Sequence, residues 1–114
     1  MYLPSKAQTT SWKGTTNPNW SIASNWTHGV PNASVAVIIG DANFTGSFQP
    51  RVNAIGTCKS LTLASTVPAT LTLTRNLTVN GDVNIGSGAT MIHPGSNLFL
   101  TGSWSNSGTY SAIA

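Results

Sequence analysis

Asn76-Leu77-Thr78-Val79-Asn80-Gly81-Asp82-Val83 returns about twenty-one residues later as Asn97-Leu98-Phe99-Leu100-Thr101-Gly102-Ser103-Trp104, and a period of that size marks a chain built from stacked repeats. Both copies read Asn-apolar-x-apolar-x-Gly-x-apolar. Two other series keep the interval: Ser60-Leu61-Thr62-Leu63 with Asp82-Val83-Asn84-Ile85 and then Ser103-Trp104, and Thr70-Leu71-Thr72-Leu73 with Thr90-Met91-Ile92 and then Thr109-Tyr110-Ser111. Three short segments therefore make up each turn of the repeat.

Within each segment apolar and polar residues alternate, which places Leu61, Leu63, Leu71, Leu73, Leu77, Val79, Val83, Leu98 and Leu100 on one face of short strands. One such turn cannot bury its own apolar face. Turns stacked about 4.8 Å apart bury one another's and satisfy each other's backbone donors and acceptors. The expected fold is all-β, a right-handed parallel β-helix, or β-solenoid, and an acid placed at Leu77 or at Leu98 is expected to abolish folding. A β-sandwich is the alternative, because short alternating strands with frequent turns also fit it; the return of the Asn-Leu register at every third segment favours the solenoid.

Charged residues make up 6% of the chain, against about 25% in ordinary globular domains. Solubility falls to Ser, Thr and Asn. The net charge of +3 arises from near-absence of acids, and the basic residues Lys6, Lys13, Arg51, Lys59 and Arg75 are scattered, whereas a nucleic-acid partner needs them clustered. No stretch is long enough for a membrane-spanning helix. The single Cys58 reads as a small buried hydrophobe.

Residues 1–7 read either as the remnant of an export signal, with Ser5-Lys6-Ala7 at the cleavage positions, or as an ordinary disordered N-terminus. Residues 8–34 hold Trp12-Lys13-Gly14, Asn19-Trp20, Asn25-Trp26 and Gly29-Val30-Pro31. This segment reads as a cap, since the first coil of a solenoid exposes strand edges and an apolar cross-section that need covering. The coils occupy 35–114, opening with the apolar run Val35-Ala36-Val37-Ile38-Ile39. They stop in mid-pattern at the C-terminal end, where the rest of a longer solenoid polypeptide or another copy of the chain is the expected partner.

The ordered Trp-x-Gly, Asn-Trp, Asn-Trp and Gly-x-Pro motifs, followed by an apolar strand and then by Leu71-Thr72-Leu73-Thr74-Arg75-Asn76-Leu77-Thr78-Val79-Asn80-Gly81-Asp82-Val83, resemble the N-terminal region of large secreted bacterial β-solenoid surface proteins. These are adhesins and autotransporter-like passengers of the Bacteroidetes type. The resemblance implies a secreted or cell-surface location and a structural or adhesive role. It departs at Ala33-Ser34-Val35, where that family often places an Asp.

Candidates for chemistry are few. Asp41 and Asp82 are the only carboxylates, one in a loop and one in a coil strand a turn later, with nothing in the repeat to pair them for acid–base work. His28 and His93 fall in loops. No cofactor or metal set is expected, and the chain reads as a non-catalytic module that could associate end to end into filaments. The other reading is a carbohydrate-binding module, with Trp20, Trp26 and Trp104 stacking on extracellular glycans.

Overall fold

Apolar–polar alternation commits the segments of the repeat to extended strands with one wet face. Twelve strands in all form in residues 8–112, which the computed structural model describes. They are β1 (Gln8–Ser11), β2 (Val35–Ile39), β3 (Arg51–Val52), β4 (Gly56–Cys58), β5 (Ser60–Leu63), β6 (Thr70–Leu73), β7 (Leu77–Val79), β8 (Val83–Ile85), β9 (Thr90–His93), β10 (Leu98–Leu100), β11 (Trp104–Asn106) and β12 (Thr109–Ala112). Every strand pair is parallel. One sheet runs β1-β2-β5-β8-β11, a second β3-β6-β9-β12 and a third β4-β7-β10. Each turn visits the three sheets in order, and the whole is a β-solenoid of about four turns. Both the export-signal reading of Met1 to Ala7 and the terminal Ala114 lie outside the described residues.

The repeat aligns as the sequence implied. Leu77 pairs with Leu98 and Val79 with Leu100, Leu61 with Val83 and Leu63 with Ile85, and Leu71 with Met91. Inward residues thus form unbroken rows along the solenoid axis. Leu61, Leu63, Leu71, Leu73, Leu77, Val79 and Val83 are fully buried, and each such side chain contributes roughly 1.5–3 kcal/mol of transfer free energy.

Leu98 and Leu100 depart from the expected core. Both are only partly buried, because β10 lies at the edge of its sheet and no strand covers them on the far side among the described residues. Asp82 also sits differently: it precedes β8 at a corner, where its Oδ1 accepts the Ser103 N–H at 2.7 Å. Gly102 packs directly on that carboxylate and on the Gly81 backbone, so the glycine of the repeat is set by close stacking of corners. Gly40 is required by conformation as well as by space, since its φ is 96° and a Cβ there would stand 2.7 Å from Val67 O.

Cys58 faces inward on β4 and is fully buried, and desolvation pushes its thiol up from 9.0 to about 12. The raised value means that the folded protein keeps its proton where the unfolded chain gives it up. Stability should therefore fall as pH rises from about 9 towards 12. A thiol reagent at pH 8 is expected to leave Cys58 unmodified in the native protein and to label it fully in denaturant. Stoichiometric labelling without denaturant would place the thiol at the surface.

Candidate functional site at the two ends of the solenoid

The N-terminal end is built from residues with no hydropathy alternation at all. β1 reads Gln-Thr-Thr-Ser, yet it pairs in register with β2, Thr10 against Val37 and Ser11 against Ile38. Thr10 is fully buried in the inward row because its hydroxyl donates to Gly29 O at 3.0 Å and accepts the His28 N–H at 3.0 Å. Ser11 donates to Asp41 Oδ2 at 2.7 Å. The solenoid therefore begins at β1 rather than at Val35. Residues 12–34 take the place of the rest of a first coil: Asn19 makes a parallel bridge to Arg51, in line with the second sheet.

This incomplete coil closes over a cluster of indoles. Trp12, Trp20 and Trp26 are 0%, 2% and 2% exposed. Trp26 sits edge-on between the other two, with ring centroids 5.1 Å from Trp12 and 5.0 Å from Trp20. Its Nε1 donates to Trp20 O at 2.8 Å, while Trp12 Nε1 donates to Phe48 O at 2.9 Å. The Trp20 indole fits against Gly56, where a Cβ would stand 3.2 Å from its Nε1. Gly56 pairs with Leu77 in the next coil, so the leucine missing from that row is replaced by an indole from the cap. The Trp20 N–H itself finds no acceptor among the described residues, at a cost of about 1–3 kcal/mol.

Asn25 is the polar hub of the cap and is fully buried. Its Oδ1 accepts the N–H groups of Thr16 and Asn17 at 3.0 and 3.2 Å, and its Nδ2 donates to Asn17 Oδ1 and Asn19 O at 2.8 and 2.9 Å. All its capacity is used, which is what makes burial of an amide tolerable. Sequence reasoning noted Asn25 only as part of an Asn-Trp motif. The signal that marks it is the Asn17-x-Asn19 pair upstream.

The opposite end has no such cover among the described residues. Trp104 pairs with Val83 and Tyr110 with Met91, so both occupy inward rows, yet they are 41% and 36% exposed. Their rings meet edge to face at 5.1 Å. The Tyr110 hydroxyl is held by His93: Nε2 of that ring donates to Ser96 O at 2.6 Å, and Nδ1 lies 2.7 Å from the Tyr110 hydroxyl, from which it accepts when the ring is neutral. The result is a preformed aromatic floor on the last coil.

Of the tryptophans expected to stack on glycans, Trp20 and Trp26 are buried in the cap and cannot present a face to a sugar. They are structural, because interlocking edge-on indoles bury more area against each other than an open platform would. Only Trp104 remains exposed. The structure leaves Asp41 and Asp82 apart, at opposite ends of the strands of the first sheet, each already accepting hydrogen bonds. A trough of about 430 Å³ runs beside the corners of successive coils, lined by Ile55, Thr74, Arg75, Asn76, Pro94 and Ser96.

Neither a curated protein nor a solved structure matches this chain. A family model described as a domain of unknown function, DUF8693, matches residues 11–113. That span takes in the Trp-rich cap together with the coils, as one unit, and the chain belongs to this family.

Proposed function

We propose that this chain is a non-catalytic structural module, a solenoid sealed at one end and built for stacking at the other, which acts by end-to-end association. The observation that carries the reading is the contrast between its two cross-sections. Three indoles at 0–2% exposure close the first. Among the described residues the second presents Trp104 and Tyr110 from inward rows, together with the edge strands β10, β11 and β12. An exposed strand edge pairs with another strand unless charge, proline or a cover prevents it.

The polar Thr, Ser and Asn rows on the outer faces give the module a rigid, hydrated flank suited to a secreted or cell-surface adhesive protein. The order of Trp, Asn-Trp and Gly-x-Pro motifs supports that location. A glycan-stacking role would rest on Trp104 alone, and its exposed face lies in the cross-section where a further coil would stack.

Light scattering over a rising concentration series tests the reading. Mass should grow with concentration above the 11.8 kDa of one chain. A constant monomer mass throughout would sink it.

A further inference from the structure

We propose that the trough on the flank of the solenoid binds a saccharide that carries a carboxylate, a uronic acid residue, with the Arg75 guanidinium as the group that holds it. A single chain carries the whole site, which stands apart from end-to-end association, so either reading can fail without the other. Three successive corners between the second and third sheets build it. The corners 53–55 and 74–76 each hold three residues, while the corner between β9 and β10 holds the four residues 94–97. A longer corner cannot lie flush on a shorter one, and the space left is the trough of about 430 Å³. Ile55 and Pro94, from the corners on either side, form its walls, with Thr74, Arg75 and Asn76 between them. Gly56 pairs with Leu77 and Leu77 with Leu98, so Ile55 occupies the place that the repeat gives to Asn76 and Asn97. At 80% exposure it adds little to the core, and it gives the trough an apolar wall in place of an amide. None of the four indoles lines the site.

The polar groups specify the ligand. Arg75 is exposed, and neither Asp41 nor Asp82, the only side-chain carboxylates of the sequence, lines the trough. Both accept hydrogen bonds elsewhere, Asp41 from Ser11 and Asn43 and Asp82 from Ser103. Among the described residues the guanidinium is therefore an uncompensated cation, and its planar fork matches a carboxylate bidentately. Asn76 Oδ1 already accepts the Asn97 N–H at 2.9 Å, which leaves Nδ2 as a donor. Thr74 Oγ1 and Ser96 Oγ give their protons to Val52 O and Leu73 O at 2.6 and 2.8 Å, so each offers a ligand only lone pairs. The site thus asks for one negative charge, for hydroxyls that both accept and donate, and for a C–H face to lie against Ile55 and Pro94. A bare inorganic anion satisfies the first alone. A uronate ring brings all three.

Titration with digalacturonate, followed by amide proton–nitrogen NMR, tests the site on the parent chain and on four variants. In the parent, the shifts should saturate and centre on residues 54–56, 74–77 and 95–97, around the lining. The neutral galactose disaccharide should bind about tenfold or more weakly, because it lacks the charge-assisted hydrogen bonds. Arg75→Ala should lose a similar factor, and Arg75→Lys, which keeps the charge without the fork, should fall between. Ile55→Asn, which restores the residue of the repeat, should weaken binding at an unchanged urea midpoint. Lys59→Ala removes the same unit of charge at an exposed position outside the trough and should bind as the parent does. Equal losses in Lys59→Ala and Arg75→Ala would reduce the effect to diffuse charge and overturn the site. Equal affinity for the neutral disaccharide, or no saturating shifts at these amides, also overturns it. Tighter binding of acetyl-dialanine, a peptide with a free carboxylate, would overturn the saccharide as the ligand.

Discussion

Leu77→Asp should leave a chain with no cooperative unfolding transition. Leu77 is fully buried at the centre of the third sheet, paired with Gly56 on one side and Leu98 on the other. A carboxylate there has no cation to meet, and an uncompensated buried charge costs about 3–5 kcal/mol. Loss of the leucine's packing adds about 2–5 kcal/mol. Together these reach the whole stability of an ordinary domain, about 5–15 kcal/mol. The measurement is thermal and urea unfolding followed by circular dichroism, and a sigmoidal transition near that of the parent would contradict the inward register. Leu98→Asp, which looks equivalent from the repeat, should be milder. Leu98 is only partly buried, so its replacement can turn a carboxylate towards water, and a weakened but still cooperative transition is expected.

The second large effect belongs to the cap. Trp26→Ala removes the indole that touches both Trp12 and Trp20, and truncation of a buried Trp costs about 3–5 kcal/mol. It also strands Trp20 O, which accepts from Trp26 Nε1. The expected result is a lower urea midpoint at little-changed slope, which signals lost stability without a change in compactness. Trp20→Phe makes the informative contrast, because it deletes a buried N–H that has no acceptor among the described residues along with part of a ring. Its loss should be smaller than that of Trp26→Phe, where a made hydrogen bond disappears. Equal losses would mean that the Trp20 N–H is satisfied in solution.

The proposed end-to-end association would give a further readout. A partner that binds only the folded state raises apparent stability with concentration, so the parent's midpoint should rise as the chain is concentrated while that of Trp104→Lys stays constant.

How much of this was legible in the sequence varies along the chain. The rows Leu61-Val83, Leu71-Met91 and Leu77-Leu98 could be aligned by eye, because their strand partners are copies of one local pattern and the pattern is written in side-chain polarity. β1 could not. Gln8, Thr9, Thr10 and Ser11 show no alternation, and Thr10 faces inward only because Gly29 O and His28 N, far along the chain, complete its hydrogen bonds. Asn25 is hidden for the same reason. Trp20 and Trp26, which as isolated aromatic residues could have faced water or core with equal ease, are committed to the core by one another and by the space left at Gly56.

By itself, then, the sequence determined the period, the strand-by-strand alternation and the identity of the inward rows, since these depend on neighbours only two residues apart and on a repeat. Tertiary structure alone decided which polar side chains are buried, which indoles seal the first coil, and why Leu98, Leu100, Trp104 and Tyr110 are left partly open though they stand in inward rows. Burial at a given position depends on the number of coils stacked above and below it, and that number is a property of the assembled solenoid rather than of any local stretch.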